Sequence, residues 1–392
     1  MTVLSFADTR FPIERANGLQ TMATCRALAA RGHDVTLVVR PDTSVPTRDP
    51  FAFYDLQPEP RLRLRTIPSH GGPRAKRVRF LLEAAALVAR TEGVIYTRDL
   101  GLAAFLLQWP RQRRARLVYE SHGIAPIVAA EMPALLGKGD LAPSAGKLAR
   151  LDRREARVWR RAPAYVAITR ALAVELGARY GQREHVYVVP DGASPASDAA
   201  TSLPSAEPGL VGYAGHLYPW KGVDVLIEAL ALSPELRGLI VGGHPAEGDL
   251  ARLEALATAR GVSDRIRFTG LVAPREVAGH MQRASVLVIP NTASAISERY
   301  TSPLKLFEYL SAARPIVASN LPALAEVLTH NETALLVPPG DPAALSAALE
   351  RVVADPELAR SIAVRAHALA AEFTWDRRAE RLEAALEAAS HA

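Results

Sequence analysis

The feature that most constrains this chain is a repeated alternation of short, β-rich apolar runs with longer helical patterns. The runs in the first half are TVLSFA, DVTLVVR, LRLRTIP, GVIYTRD, RLVYESHG, AYVAIT and VYVVPDG. Segments rich in Ala and Leu lie between several of them. Continuously apolar strands that are separated by helices are typical of a parallel sheet covered on both faces. The first half is therefore predicted to be a doubly wound α/β domain.

A segment with the composition of a linker, residues 190–209, interrupts this pattern with Pro, Ser, Ala and Gly. The alternation then restarts with GLVGYAG, RGLIVGG, IRFTG, SVLVIPN, PIVAS and ALLVPPGD. Two doubly wound α/β domains facing a central cleft are the expected architecture, and such a cleft is the usual ligand site. We assign residues 1–195 and 196–370 to the two domains. Residues 371–392 are assigned to a C-terminal helix, for which a crossing back to the first domain is left open.

The two halves of the chain differ in charge. Residues 1–190 carry 30 Lys and Arg against 17 Asp and Glu, whereas the remainder carries 17 against 24. One interpretation of the basic clusters at 74–79, 111–116 and 150–161 is solvated arginine. The other is attraction to an anionic acceptor or an anionic membrane surface. The clusters contain no recognised nucleic-acid-binding motif, which argues against a nucleic-acid partner.

The single cysteine, Cys25, excludes an intramolecular disulfide and is expected to be a buried thiol. No secretory leader precedes the first predicted strand, and no apolar run approaches the ~18 residues that span a bilayer. These observations predict a cytoplasmic protein, with peripheral binding to a membrane left open.

Ligands of doubly wound sheets bind beyond the carboxyl ends of the strands. That rule selects polar residues and glycines in the loops that follow predicted strands. They are Asn17, Gly18, Arg98, Asp99, His122 and Gly123 in the first half, and His216, Lys221, Gly222, Gly243 and Asn291 in the second.

A helix start is predicted at Ser302-Pro303, with Ser302 as the N-cap and Pro303 at the first helical position. The free backbone N–H groups of Leu304 and Lys305 would then attract an anion, above all phosphate. Lys221 would add a point charge to the same anion. The simpler interpretation of Lys221 is an exposed loop lysine.

Glu308 lies two turns into this predicted helix, on its apolar side. One interpretation is an ion pair with Lys305, three residues earlier. The other is a carboxylate that accepts two hydroxyls of a ribose. The local sequence leaves both interpretations open.

Familiar cofactor motifs are missing. The chain has no G-x-G-x-x-G after a strand, no P-loop, no H-E-x-x-H and no G-x-S-x-G elbow. We therefore predict no bound cofactor and no metal site.

Taken together, the motifs resemble a known family. The pieces that carry the resemblance are YAGHLYPWKGVDVLIEAL, LIVGGHP, IRFTGLV, VLVIPN, SPLKLFEYLSAARPIVASNLPALAEVL, ALLVPPGDPAALSAAL and FTWDRRAERL. These pieces lie in the second half of the chain, which is similar to the retaining family 4 glycosyltransferases, whose GT-B fold consists of two facing Rossmann-like domains. The first half fits more loosely, through AARGHDVTLV, VYESHG and VVPDG.

The resemblance implies a nucleotide diphosphate sugar, UDP- or GDP-linked, as donor, with the acceptor mainly on the N-terminal domain. It makes Lys221 the phosphate-binding lysine and Glu308 the ribose-binding glutamate. It places His122 beside the donor sugar and assigns catalytic roles to His122 and Lys221. The implied donor-binding residues are Gly18, His216, Lys221, Gly243, Tyr300, Thr301, Ser302, Leu304, Lys305 and Glu308.

Two positions depart from the family pattern. Many members have an arginine where this chain has His216, and many have a sugar-contacting glutamate where it has Tyr300. Glu298 is near the second position but two residues out of step.

The implied reaction is transfer of a hexose or N-acetylhexosamine to a hydroxyl of a glycan, glycolipid or small molecule. It would be metal-independent and would retain the anomeric configuration. A nucleotide-sugar epimerase, with His122 or Glu298 moving protons, is the second hypothesis. A catalytically silent nucleotide-sugar-binding subunit, suggested by Tyr300, is the third.

Overall fold

The structure is a computed structural model. It describes residues 1–109, 116–194, 206–245 and 247–391. Residues 111–115 of one predicted basic cluster and residues 195–205 of the predicted linker lie outside the described residues.

The chain divides into two compact units. The first unit consists of Met1–Ala129, Pro143–Asp191 and Trp375–Ala392, and the second of Ala130–Ala142 and Gly192–Thr374. Residues 130–142 were predicted to belong to the first domain but lie in the second unit. The second unit also runs to Thr374 rather than to residue 370. The local sequence pattern could not give these boundaries, because membership in a unit is decided by long-range contacts.

The first unit contains, within the described residues, a seven-stranded parallel sheet with the order β3-β2-β1-β4-β5-β6-β7. The strands are β1 Thr2–Arg10, β2 Asp34–Arg40, β3 Leu62–Thr66, β4 Val94–Thr97, β5 Leu117–Ser121, β6 Ala164–Ala167 and β7 Val186–Val188. The central strands β4 and β6 are buried at every residue, whereas the edge strand β3 is largely exposed. Burial on both faces explains why the central strands read as continuous apolar runs.

Helices cover this sheet. The helices of this unit are α1 Ala16–Ala30, α2 Pro50–Phe53, α3 Pro73–Arg90, α4 Leu100–Leu106, α6 Ala145–Arg161, α7 Arg170–Tyr180 and the C-terminal α16 Trp375–Ser390. Helix α5 Ala125–Leu135 begins in the first unit, and its residues from Ala130 onward belong to the second. Asp99 and Thr169 cap α4 and α7, since each side chain accepts a bond from the backbone N–H three residues later. Helix α16 packs on α1 and β6, so the crossing back of the C-terminal helix to the first unit occurs.

The second unit contains, again within the described residues, a six-stranded parallel sheet with the order β10-β9-β8-β11-β12-β13. The strands are β8 Leu210–Ala214, β9 Arg237–Val241, β10 Ile266–Phe268, β11 Val286–Ile289, β12 Ile316–Ser319 and β13 Leu335–Val337. The helices are α8 Val223–Leu232, α9 Asp249–Ala259, α10 Pro274–Arg283, α11 Ala295–Arg299, α12 Leu304–Ser311, α13 Pro322–Ala325, α14 Pro342–Ala354 and α15 Pro356–Ala370.

The predicted fold class is confirmed. Each strand of the two sheets overlaps a run that the sequence predicts as a strand, and in both sheets the first strand of the unit lies in the middle. That strand order is typical of doubly wound domains. Cys25 is fully buried in α1, and burial raises the pKa of its thiol to about 12.

A membrane-crossing helix is not found among the residues that the structure describes, since none of their helices is both long enough and apolar enough.

Candidate functional site

A cavity of about 270 Å³ lies at the carboxyl ends of β1, β4 and β5 in the first unit. Five residues that the sequence analysis selected line it, namely Asn17, Gly18, Arg98, Asp99 and His122. The strand-end rule therefore selected residues that are distant in the chain but lie together in the fold, because parallel strands end at the same edge of a sheet.

Gly18 is buried in the first turn of α1, against the chain that follows β1. A Cβ on Gly18 would lie 2.2 Å from the Tyr54 hydroxyl and 3.0 Å from the Ile13 carbonyl oxygen. Tyr54 itself accepts from the Ile13 N–H and donates to the Ile13 carbonyl. Glycine is thus required here by close approach, which lets the start of α1 come up to the cavity.

The acidic residues of the cavity are neutralised by arginines. Asp8 accepts hydrogen bonds from Arg40 and Arg77, and Asp99 accepts from both terminal nitrogens of Arg77. Burial alone would raise the pKa of Asp99, but the Arg77 guanidinium lowers it below its ordinary value. The carboxylates of Asp8 and Asp99 are therefore already paired with arginines.

His122 follows β5 and is tied to the buried Glu120 on that strand. The ring Nε2 lies 2.6 Å from Glu120 Oε1. Burial and the nearby Arg98 guanidinium lower the pKa of His122, against the opposing effect of Glu120. His122 is consequently a neutral imidazole at neutral pH whose orientation is set by a carboxylate.

The sequence analysis missed Glu120 and Arg378. Arg378, on α16, is 1% exposed and donates to Glu120 Oε2 at 2.6 Å. The available signals were a charged residue inside an apolar strand and an arginine on the apolar side of the C-terminal helix. Their pairing could not be predicted, because 258 residues separate them.

Lys305, at the start of α12, is the central residue of the second unit's site. It is 7% exposed, and its Nζ lies 3.6 Å above the ring centroid of Tyr213 on β8. That Nζ has no hydrogen-bond partner in the described part of the chain. Burial, and the positive charge of Lys221, lower the pKa of Lys305 well below its usual range. Burial without a hydrogen-bond partner disfavours the charged form of Lys305, and a bound anion would stabilise its ammonium, so this position suits an anionic ligand.

Lys221 is brought to the same region by a short 3₁₀ turn, Pro219–Lys221. The following Gly222 has φ +70°, and a Cβ there would lie 1.8 Å from the Pro290 carbonyl oxygen. Glycine is therefore needed for this loop to lie against the end of β11. Burial lowers the pKa of Lys221 to about 8. The residue is half-buried, so the simpler interpretation of an exposed loop lysine is wrong.

Glu308 is half-buried on α12, and burial raises its pKa while Lys305 opposes the rise. The alternative of an ion pair between Lys305 and Glu308 is wrong, since within the described residues Lys305 Nζ bonds to no acceptor. The carboxylate thus stays available for another partner.

The predicted helix start is shifted by one residue. Pro303, not Ser302, is the N-cap residue of α12, and no side-chain cap is made there. The Leu306 N–H donates to the Pro303 carbonyl at 2.8 Å, which closes the first turn one residue later than predicted. Leu304 is the first helical residue rather than the second.

The residues before α12 are packed rather than open. Tyr300 is 3% exposed and Thr301 is 8% exposed. The Thr301 hydroxyl donates to the Ile296 carbonyl at 2.6 Å, and the Arg299 guanidinium lies over the Tyr300 ring. Ser302 is half-buried.

His216 follows β8 and stacks on Tyr218, with ring centroids 4.9 Å apart. Its Nδ1 lies 3.6 Å from Glu247 Oε2, so a protonated His216 would face a carboxylate. Gly243 follows β9 and contacts Leu217, because a Cβ there would lie 2.8 Å from the Leu217 Cδ1. Gly243 thus permits close packing of two loops.

Asn291 is a polar residue that the strand-end rule selected and that the family resemblance did not. It follows β11, is 0% exposed, and neither its amide nitrogen nor its amide oxygen has a hydrogen-bond partner in the described residues. A fully buried amide without partners is uncommon in a finished core. Asn291 therefore joins Lys305 as a second unsatisfied polar group at this end of the sheet.

Two doubly wound parallel sheets, with candidate ligand-binding residues at the carboxyl ends of their strands, define the GT-B class of fold. A family model described as glycosyl transferases group 1 matches residues 208–355, and another described as a glycosyl transferase 4-like domain matches residues 18–192. Together the two models span most of the chain, which belongs to the family 4 glycosyltransferases.

Curated relatives of the chain are D-inositol 3-phosphate glycosyltransferases. The protein of Streptomyces scabiei is 32% identical over 189 residues, which cover 46% of this chain and 41% of the relative. The protein of Xylanimonas cellulosilytica is 29% identical over 382 residues, which cover 90% and 86%. The first of these matches spans less than half of the relative's own length.

Solved structures share the fold at low identity. Sucrose-phosphate synthase from Thermosynechococcus elongatus has a TM-score of 0.77 at 20% identity, covering 98% of this chain and 97% of that one. The Anabaena protein HepE in complex with UDP-glucose has a TM-score of 0.74 at 18% identity, covering 98% of each chain.

Proposed function

We propose that this protein is a glycosyltransferase that moves a sugar from a nucleotide diphosphate sugar to an acceptor hydroxyl and retains the anomeric configuration. The observation that carries the proposal is Lys305. Its ammonium group is buried at the start of a helix, has no hydrogen-bond partner among the described residues, and lies near the positive charge of Lys221. Two cations and the free N–H groups of a helix start suit a diphosphate.

In this proposal the diphosphate binds to Lys221, Lys305 and the first N–H groups of α12. Glu308 lies one helical turn beyond Lys305 and accepts the ribose hydroxyls. Negative charge grows on the leaving diphosphate in the transition state, so the lysines stabilise that state more than the bound donor. Their two positive charges also make a divalent cation unnecessary, and transfer is expected to continue in the presence of a chelator.

The bond changes follow from retention without a covalent enzyme intermediate. The bond from the anomeric carbon to the diphosphate oxygen breaks, and the acceptor oxygen bonds to the same face of that carbon. The acceptor proton passes to the leaving phosphate oxygen. The protein then contributes positioning and charge stabilisation rather than a nucleophile. His122, in the first unit, is assigned to the donor sugar on the family pattern.

The donor and acceptor are proposed by chemical class. HepE is described in complex with UDP-glucose, and the curated relatives are named for sugar transfer to an inositol phosphate. We therefore take UDP-glucose as the first donor to test and a polyhydroxylated small molecule or glycan as the acceptor class.

The test is a thermal-shift screen of UDP-, GDP- and ADP-sugars, followed by product analysis with the donor that stabilises the protein. A ligand at 100 times its Kd adds about 2.7 kcal/mol to the free energy of unfolding. Lys305→Met and Lys221→Ala should abolish that stabilisation or reduce it strongly. Lys138→Ala is the matched control, because Lys138 is an exposed lysine of the same unit. Stabilisation without turnover on any acceptor would instead support a silent binding subunit.

The proposal extends to an anionic membrane surface as a partner. Helix α6 carries an exposed basic stripe at alternating spacings of three and four residues, formed by Lys147, Arg150, Arg154, Arg157 and Arg161. None of these five forms an ion pair with another described residue. Cations on one helix face without internal partners favour binding to acidic lipid headgroups.

Co-sedimentation with vesicles that contain phosphatidylserine tests this partner. Reversing two charges of the stripe, Arg154→Glu with Arg157→Glu, should weaken binding by at least roughly tenfold, at about 1 kcal/mol per basic residue. The control is Arg360→Glu with Arg365→Glu, which makes the same charge change at exposed positions of α15. No binding at low salt would leave the stripe as solvated cations.

A further inference from the structure

Glu120 is a fully buried charged residue whose two carboxylate oxygens are surrounded by donors. Oε1 accepts from Gln20 Nε2 at 2.8 Å and lies 2.6 Å from His122 Nε2. Oε2 accepts from the Tyr96 hydroxyl at 2.5 Å and from Arg378 Nη2 at 2.6 Å. Each oxygen thus has two partners, the full complement for a buried carboxylate.

The ionisation of Glu120 determines where the proton of His122 lies. Burial would raise the pKa of Glu120, but Arg378 and His122 hold it well below its usual range. An ionised carboxylate can only accept hydrogen bonds. The Gln20 amide is oriented independently, because its oxygen accepts from Arg98 and its nitrogen therefore faces Glu120. The His122 Nε2 must then carry a hydrogen.

The other ring nitrogen of His122 remains for a ligand. His122 lines the cavity of the first unit, and its Nδ1 has no hydrogen-bond partner among the described residues. In a neutral imidazole that donates from Nε2, Nδ1 is an acceptor. A sugar or acceptor hydroxyl that enters the cavity would find a hydrogen-bond acceptor there, not a donor.

Arg378 fixes Glu120 from the far end of the chain. Besides Glu120, its guanidinium donates to the Thr24 hydroxyl on α1 and to the carbonyls of Val189 and Pro190. The guanidinium thereby joins helix α16 to α1, to β5 and to the segment that follows β7. The orientation of Glu120 consequently depends on the docking of the C-terminal helix.

From these contacts we infer that Glu120 is a positioning residue for the transfer reaction. It holds the His122 proton on Nε2, so that Nδ1 accepts a hydrogen bond from a substrate hydroxyl, and Arg378 holds Glu120 in place. The inference rests on the proposed function for the identity of the substrate, but the state of the His122 ring is independent of it. Carboxylates that orient metal-binding histidines in the same way contribute about 10–100-fold to activity or affinity.

The first experiment is nuclear magnetic resonance of the intact protein with ¹⁵N-labelled histidine, at pH 7.5 and without ligand. The signal of His122 is assigned by its loss in His122→Ala. We expect a neutral ring with the proton on Nε2. A proton on Nδ1, or a doubly protonated ring, would overturn the inference whether or not the protein transfers sugar.

The second experiment compares Glu120→Gln with Glu155→Gln by the same measurement. In Glu120→Gln the amide oxygen should turn toward Arg378, which leaves the amide N–H₂ facing His122 and favours the tautomer with the proton on Nδ1. Glu155 is the matched control, because it is another fully buried glutamate of the first unit and bonds to Tyr165 and Ala125 instead. Its variant should leave the His122 ring unchanged.

Kinetics with UDP-glucose as the donor separate a positioning role from a structural one. Glu120→Gln should lower kcat by roughly 10–100-fold, with the KM for UDP-glucose changing far less, while Glu155→Gln keeps the kcat of the parent. An unchanged tautomer together with an unchanged kcat in folded Glu120→Gln would overturn the inference. If Glu120→Gln does not fold, the tautomer of His122 in the parent protein, measured in the first experiment, still decides whether the inference holds.

Discussion

The two units treat buried charge in opposite ways. In the first unit Glu120 and Arg378 are almost fully buried, and each bonds to several partners within the unit. In the second unit the ammonium of Lys305 and both polar atoms of the Asn291 amide are buried without hydrogen-bond partners in the described residues. The buried charges of the first unit thus have their partners within the unit, whereas the unsatisfied groups of the second unit indicate a ligand as their partner.

The difference separates structural charge from charge reserved for a ligand. Buried polar groups in folded proteins are nearly always bonded, so an unpaired group indicates a missing partner. A paired buried charge mainly stabilises its own partner, because removing one member leaves the other buried without an opposite charge. Under the function and the inference proposed above, the first unit uses its charges to hold His122, and the second provides Lys305 as the binding group for a phosphate.

The largest expected effect is on stability and tests this comparison directly. Arg378→Met removes the guanidinium that pairs with the buried Glu120 and should lower the free energy of unfolding by about 3–5 kcal/mol. Lys305→Met replaces an unsatisfied ammonium with an apolar chain of similar length and should leave the free energy of unfolding unchanged or raise it slightly. Urea denaturation of both variants measures the difference.

Arg377→Met is the control for Arg378→Met, since Arg377 is exposed and pairs with Glu380 at the surface. Its loss should cost less than about 1 kcal/mol. The comparison between the units fails if Lys305→Met destabilises the protein as much as Arg378→Met does.

The second prediction concerns a buried carboxylate in the first unit that lacks a cation. Glu155 accepts from the Tyr165 hydroxyl at 2.8 Å and the Ala125 N–H at 3.1 Å, and burial raises its pKa to about 7. Because the folded state favours the protonated form, the stability it contributes is present below the unfolded pKa of 4.5 and is lost as pH rises through 7.

Glu155→Gln removes this titration, since an amide stays neutral. Relative to the parent, the variant should gain stability as pH rises from 5 to 8, by up to about 3 kcal/mol at 1.4 kcal/mol per pKa unit. Denaturation at several pH values measures the gain. If the difference in free energy of unfolding between the two proteins does not change with pH, Glu155 is not protonated in the folded state. The absence of a cation beside Glu155 would then not explain why it differs from Glu120, which is paired with Arg378.

The smallest expected effect sharpens the assignment of the second unit. Glu308→Gln keeps the shape of the side chain and removes its charge, so a ribose loses a charge-assisted hydrogen bond worth about 1.5–3 kcal/mol. The affinity for UDP should fall by roughly 10–100-fold in calorimetric titration. Glu254→Gln is the control, because Glu254 is exposed on α9. Equal affinity of the Glu308 variant and the parent would refute the ribose assignment.

The fold could be predicted from the sequence because it is written in local patterns. The continuous apolar runs give the strands, the linker composition marks the restart of the pattern, and the strand-end rule gathers Asn17, Gly18 and His122 at one cavity. Helix ends were less accurate: Pro303 rather than Ser302 begins α12. Ser302-Pro303 allows either start, and the bond from the Leu306 N–H to the Pro303 carbonyl selects one of them.

The sequence by itself determined the elements of this protein, its family and most of its candidate site, since hydrophobic periodicity and short motifs act over a few residues. Only the tertiary structure decided which charges meet. Arg378 and Glu120 are 258 residues apart, and Lys305 finds the Tyr213 ring rather than Glu308, three residues along its own helix. Pairing of buried charges depends on desolvation and on the direction of each side chain, and both exist only when the chain is folded.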